Sequence, residues 1–373
     1  MSGRYLRLAC TAAVAAAQAV LAPPLPALAA PGPERPVAEL LTDLQQAYRQ
    51  AERATETYNA TAERLQRQRA EVTRLDGELT SARRFLHTSR TEAGRLARAQ
   101  YQNAGGLSPY VRLLLARDPQ HALDEGHVIG ELARERAKTV GRLAEDERRQ
   151  AGLARRARTA LDTQLTLAEK QKKQRDEVRT RLSDVERMLA SLTADQLTAL
   201  AGLEKDTTAA AQRKLTTSGA LSSTTPPPSP EGDRAVRYAV QQLGKPYQWG
   251  AAGPASYDCS GLTSQAWDHA GTPIPRTSQE QWADLPHVPL NRLRPGDLVV
   301  YFPEATHVAL YLGDGKVVQA PRPGAKVKVS PIAANPILGA VRPDPTAQPL
   351  PRYTPPTIPK AAMAGPDESF GTL

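Results

Sequence analysis

The sequence predicts two unlike folded parts in one chain: an all-α coiled-coil hairpin over residues 31–215 and an α+β domain, a helix packed on an antiparallel sheet, over 231–345. Three observations predict it. An apolar heptad stripe starts at Val37 and holds to Leu96. Strand and hairpin-turn signals follow much later, at 307–320. A Ser/Thr/Pro-rich stretch at 216–230 separates the two. A chain of 373 residues has room for two or three domains, each long enough for a core of its own.

The first thirty residues read as an export signal. Arg4 and Arg7 precede an apolar stretch from Leu8 to Ala22, and Ala27-Leu28-Ala29 supplies a small-x-small cleavage pattern. That stretch is shorter than the roughly 20 residues a bilayer span needs, which disfavours a membrane anchor. Removal of the signal takes Cys10 with it and leaves Cys259 as the lone cysteine of an exported chain, reactive or inert but not in an internal disulfide. The formal charge of +9 is spread: +2 in 1–30, +6 in 31–230, +1 in 231–345 and 0 beyond. No basic cluster is interleaved with aromatics, so no nucleic-acid partner is expected, and the excess reads as a solvated helix surface.

In 37–96, fifteen of eighteen a/d positions are apolar, from Val37, Leu40 and Leu44 through Leu75, Leu79 and Leu86 to Leu96. Such a seam winds a left-handed coil, roughly 95 Å long at 1.5 Å per residue, and it needs a partner. Asn103, Gly105 and Gly106 break the pattern. Ser108-Pro109 and Asp118-Pro119 then read as two helix starts, flanking the apolar Val111, Leu113, Leu114 and Leu115. Helical composition returns over 127–205, with Val178, Leu182, Val185 and Leu189 at seam spacing. An antiparallel hairpin with short helices at its tip is the economical reading, and a dimer through the same seam is its rival. Charge runs such as Arg134-Glu135-Arg136 read as solvated faces. The linker 216–230 is expected to be flexible, and the Pro-rich tail 346–373 disordered.

The chemistry gathers in 231–345. Asp258-Cys259-Ser260-Gly261-Leu262 precedes Ala266, Trp267 and Ala270 at helical spacing, which puts Cys259 at a helix N-terminus, where a thiolate is stabilised. A cysteine nucleophile needs a base. His269 lies ten residues along the same helix, roughly 15 Å away, and is excluded. His287 sits in a loop and reads as a surface residue. His307 opens the apolar strand His307-Val308-Ala309-Leu310-Tyr311-Leu312, and the turn Gly313-Asp314-Gly315 leads into Lys316-Val317-Val318-Gln319. With a two-residue loop Leu310 faces Gln319, and His307 and Gln319 lie on opposite faces. With a three-residue loop Ala309 faces Gln319, and the two share a face as diagonal neighbours, so that the Gln319 amide oxygen can orient the imidazole.

Five segments in order, Gly244-Lys245-Pro246-Tyr247-Gln248-Trp249-Gly250, Asp258 to Leu262, Pro275-Arg276-Thr277-Ser278, Arg294-Pro295-Gly296-Asp297-Leu298 and His307 to Gly315, resemble the NlpC family of papain-like cell-wall cysteine peptidases. The resemblance covers about 234–342. It implies a metal-free, cofactor-free hydrolase of the peptide stems of bacterial peptidoglycan, cutting between D-glutamate and the diamino acid. Carried over by motif, Cys259, His307 and Gln319 are the catalytic residues, Tyr247 is the tyrosine that approaches the cysteine, and Asp258 and Ser260 line the substrate pocket. Two departures stand out. The third catalytic position is usually His and is Gln319 here, and the usual Trp-Gly-Gly is Trp249-Gly250-Ala251. A coil ahead of such a domain resembles division-associated wall hydrolases. The apolar tip Val111, Leu113, Leu114 and Leu115 reads as a site for a membrane-bound division activator of the FtsEX type or as packing under the tip helices, and a linker whose ends lie about 20 Å apart lets the domain fold back on a coil that restrains it, with localisation as the alternative role of the coil. Two rival functions stay open: an amidase or acyltransferase on the same scaffold, and a non-catalytic wall-binding scaffold acting through the coil.

Overall fold

The computed structural model describes residues 35–103, 109–115, 118–222 and 224–359, so the export signal expected at 1–30 lies outside the described residues. The heptad seam folds as one helix, α1 (Val37–Asn103), and the short α2 (Pro109–Leu114) stands at its far end. The return helix α3 (Pro119–Ala190) starts where Asp118-Pro119 signals it, with the Asp118 carboxylate accepting from the His121 N–H. The partner of the seam comes from the same chain. Leu44 and Tyr48 pack on Val185 and Leu189, and Leu75, Leu79 and Ala82 pack on Leu153 and Ala160, an antiparallel register. Beyond it the distal half is thinly covered, and Leu114 is 83% exposed. Among the described residues no helix is long and apolar enough to cross a membrane.

The return is not one helix to 205. It breaks at Ser191–Thr193, where Thr193 and Gln196 form a reciprocal capping box for α4 (Ala194–Thr217). This helix also packs on the first turns of α1, burying Leu200 against Leu40 and Leu41. Its last turns reach the second domain, where the Gln212 side chain donates to Gly315 O and accepts from the Ala333 N–H, both at 3.1 Å.

The linker expected to be flexible is held. Leu221 packs against the sheet, and Thr225 Oγ1 exchanges hydrogen bonds with Asp314 at 3.2 Å. The tail expected to be disordered is likewise laid along the domain as far as Pro359. The Leu350 N–H donates to Pro228 O, Arg237 donates to Thr354 O, and Ile358 packs on the core. Composition reports how poorly such segments make their own structure; it carries no record of a neighbouring surface that binds them.

The second domain is α+β. Helices α5 (Pro230–Gln241), α6 (Cys259–His269) and α7 (Ser278–Asp284) precede the strands β1 (His287–Val288), β2 (Leu298–Tyr301), β3 (His307–Gly313), β4 (Lys316–Gln319), β5 (Lys328–Pro331) and β6 (Ile337–Val341). The sheet order is β1-β6-β2-β3-β4-β5, with antiparallel pairing throughout. Alternation sends Val308 and Leu310 to the side of α5 and α6, with Val236, Leu262 and Trp267. Ala309 and Tyr311 go to the other side, where Ile332, Leu215 and Leu221 cover them. Both faces are covered, which is why β3 is buried from end to end.

Candidate active site

Cys259 is the first residue of α6, as its motif predicts. Asp258 caps the helix, its carboxylate accepting from the Gly261 N–H at 2.6 Å. The helix starts hard against the Trp249–Ala251 loop: a β-carbon on Gly261 would lie 2.2 Å from Ala251 O, so only glycine fits there. Asp258 is fully buried and receives Arg276 as a fork, Nη1 to Oδ1 at 3.1 Å and Nη2 to Oδ2 at 2.8 Å. Arg276 Nη1 also donates to Ser260 Oγ at 2.8 Å. The Gln281 amide braces this turn from α7, accepting from the Thr263 hydroxyl at 3.0 Å and donating to Pro275 O at 2.8 Å.

His307 opens β3, fully buried. One of its ring nitrogens, Nε2, lies 2.7 Å from Gln319 Oε1, and the Gln319 amide nitrogen donates to Ser330 Oγ at 2.8 Å. That second bond turns the amide oxygen toward the ring, so Nε2 carries hydrogen and Nδ1 is the basic lone pair of the neutral imidazole. Leu310 pairs with Val318, which sets Ala309 opposite Gln319 and puts His307 and Gln319 on one face. The turn itself is not the three-residue loop that this register suggests. Gly313 pairs with Lys316 around a two-residue loop, with Asp314 and Gly315 both at positive φ, and a bulge at Leu312 supplies the extra residue. Elsewhere, exposed His287 stacks on Trp282, and His269 packs on Tyr238 at the far end of α6.

α6 packs against β3, and α1 reaches both Cys259 and His307, through Glu56 and Glu52. The backbone amide of Val308, next to His307, favours the thiolate. The thiolate expected from the helix N-terminus is not favoured in this state. Burial first, then the charges of Glu56, Asp258 and Glu52, push the thiol well above its ordinary 9.0, against the pull of the Val308 amide. Tyr247 lies close by, its hydroxyl raised by burial and then by Cys259.

Glu52 and Glu56 belong to α1, and sequence reasoning missed them. Glu56 Oε1 accepts from Ser260 Oγ at 2.7 Å and from Cys259 Sγ at 3.8 Å, and Oε2 accepts from the Ser278 N–H at 2.9 Å. Glu52 Oε1 lies 3.4 Å from His307 Nδ1, an ion-pair distance, and Nδ1 is buried without a hydrogen-bond partner. Asn59 donates to Asp258 Oδ2 at 3.0 Å, and Tyr58 sets its ring edge-on to Trp249 at 5.1 Å. Burial first, then Asp258, raise Glu56 from 4.5 to about 7, against Arg276 and the hydrogen bonds from Ser260 and Ser278. Burial works to discharge His307, but Glu52 and then Gln319 outweigh it and lift the imidazole above 6.5. Beside Glu56 a cavity of about 390 Å³ remains, bordered by Arg53, Arg64, Lys170, Glu280 and Glu304.

The sequence profile of the NlpC/P60 family matches residues 244–339. A protein named as a probable endopeptidase in Corynebacterium glutamicum is 41% identical over 111 residues, 30% of this chain and 53% of that one. A probable endopeptidase of Mycobacterium tuberculosis is 40% identical over 114 residues, 30% of each chain. The peptidoglycan endopeptidase RipA of Mycolicibacterium smegmatis is 36% identical over 122 residues, 28% of this chain and 24% of that one. The chain thus spans about half the length of the first of these relatives and a third or less of the other two.

Proposed function

Through residues 244–339 the chain belongs to the NlpC/P60 family, and from that premise we propose that it is an exported, cell-wall-associated peptidoglycan endopeptidase that cuts stem peptides by thiol catalysis. The observation that carries the reading is Cys259 at the start of α6, beside a His307–Gln319–Ser330 hydrogen-bond chain. His307 Nδ1 takes the thiol proton, and the sulfur attacks the scissile carbonyl. The Cys259 N–H at the helix end, with Tyr247, stabilises the oxyanion. The proton on His307 passes to the leaving amine, and water, activated by the same ring, hydrolyses the thioester. Asp258 and Ser260, with Arg276, line the pocket for the stem end of the substrate. The scissile bond of this reading is D-glutamyl–diamino acid.

The coil is the restraint. It seals the dyad, leaving Cys259 only 3% exposed, and a membrane-bound division activator of the FtsEX type, acting on the exposed apolar end of the hairpin around Leu114, would lift it. The export signal at 1–30 and this pairing with an activator give a role in wall remodelling at division. Mass spectrometry of muropeptides digested by residues 31–373 and by residues 224–359 tests the reading. The shorter chain, which keeps the Thr225 contact and the docked tail, cleaves at least several-fold faster, releases a free amine on the diamino acid, and loses both effects with Cys259→Ser. Cleavage that survives Cys259→Ser would refute thiol catalysis, and equal rates for the two chains would refute restraint.

A further inference from the structure

Glu52, Glu56 and Asn59 lie at i, i+4 and i+7 of α1 and form one stripe along the helix. All three are buried. They occupy the outer positions of the heptad, the face a coil normally gives to water, and charged residues are almost never buried without a purpose-built partner. Here the partners are the reactive groups themselves.

We propose that Glu52 and Glu56 form an internal plug that disarms the Cys259–His307 pair chemically as well as covering it: Glu56 takes the donors of the thiol pocket, and Glu52 sets its carboxylate beside the basic nitrogen of the imidazole. The proposal rests on the reading of Cys259 as nucleophile and His307 as base. Catalysis needs the thiol hydrogen to pass to Nδ1. In the docked coil the thiol is directed at Glu56 Oε1 instead. Gln319 already holds the Nε2 hydrogen, so a carboxylate facing Nδ1 is accommodated when that nitrogen is protonated too, and the lone pair is then gone. Asn59 on Asp258 and Tyr58 on Trp249 fix the helix in the one register that brings both carboxylates to their targets.

The plug is also poised to leave. Glu52 Oε2 is buried without a hydrogen-bond partner, and Glu56 is packed beside a second carboxylate, Asp258. Buried charges of this kind bind less tightly than apolar side chains of the same size. An apolar stripe would cover the cleft more firmly and leave the dyad's protons free to move. Two carboxylates exchange some docking strength for control of those protons.

The test follows alkylation of Cys259 by iodoacetamide in the chain from Pro31 to Leu373, read by mass spectrometry from pH 6 to 10. Wild type is compared with Glu52→Ala, Glu56→Ala, the double variant and Glu204→Ala. The last breaks the coil–domain ion pair with Arg322, away from the dyad. The double variant should react about tenfold faster or more at neutral pH, and the midpoint of its pH–rate profile should fall by about one pH unit or more. Glu204→Ala should leave the midpoint in place. Unchanged rates in the double variant overturn the proposal. So does a faster reaction with an unmoved midpoint, the mark of a purely steric lid. If the alanine variants do not fold, Glu52→Gln and Glu56→Gln keep the shape, drop the charge and carry the same test on the midpoint. Failure of the peptidase reading shows separately: the midpoint falls, and yet no variant cleaves stem peptide.

Discussion

Coil docking should weaken as pH rises through neutrality. Glu56 sits at about 7 when docked and at its ordinary 4.5 when the coil is lifted. Below 4.5 both states are protonated and docking is at full strength. Between the two values the lifted coil ionises while the docked one stays protonated, and docking loses about 1.36 kcal/mol per pH unit, roughly 3 kcal/mol in all. Glu56 is fully buried, so no discount for solvent screening applies. That is on the order of a hundredfold in the docking equilibrium. His307, also raised on docking, pushes the same way, since its contribution holds below its ordinary 6.5 and fades above. Glu56 borders the cavity that Arg53, Lys170, Glu280 and Glu304 also line. Spin labels at the exposed positions Thr57 and Asp284, in a chain from Pro31 carrying Cys259→Ser, would report the coil–domain distance by pulsed resonance. The long-distance population should grow from pH 5 to pH 8, and Glu56→Gln should flatten that dependence. A population constant across this range, or one that grows on acidification, would refute the reasoning.

Two further outcomes are expected. Gln319→Ala removes orientation of the imidazole but not the base, so it should slow muropeptide cleavage less than His307→Ala does, while Gln319→His should keep the activity; a Gln319→Ala loss equal to that of His307→Ala would remove the orienting role. Asp258→Ala leaves the partly buried Arg276 without its forked partner and uncaps α6, which should cost about 3 kcal/mol in denaturant unfolding; a cost below about 1 kcal/mol would mean that Arg276 is held by Ser260 and Ala251 O alone.

What the sequence made legible is what local pattern encodes. The spacing Leu262, Ala266, Trp267 and Ala270 announces α6 and puts Cys259 at its start. The seam residues announce α1, because a heptad stripe is written in consecutive turns. The shared face of His307 and Gln319 was legible only as a choice between two turn lengths. The Asp314-Gly315 signal points to the two-residue loop that is found, whereas the bulge at Leu312 that restores the shared face leaves no mark in residue type. Least legible was the stripe Glu52, Glu56, Asn59. Outer heptad positions filled by polar residues look the same whether they meet water or a surface about two hundred residues away in the chain. Thr225 and Leu350 escaped for the same reason: each is held by a partner that only the fold brings near.

The neutral residue at Gln319 and the acidic stripe on α1 make sense together. An imidazole is a useful base when its lone pair is available at working pH, and an anion on its far nitrogen would raise its affinity for a proton at all times. Gln319 orients the ring through Nε2 and adds no net charge. The carboxylate that faces the ring is therefore Glu52, and it arrives and departs with the coil. The same logic holds on the thiol side. Asp258 is spoken for by Arg276 and the α6 amide, so Glu56 is the removable charge that opposes a thiolate. Lifting α1 takes both carboxylates away in one rigid motion, because they lie a single turn apart on the same helix. The thiol and the imidazole then regain each other as proton partners, and the helix N-terminus at Cys259 faces no opposing charge from the coil. On the proposed reading, control of the dyad is thus built into an element that contributes nothing to the chemistry itself, and the two states of the protons follow the two positions of one helix.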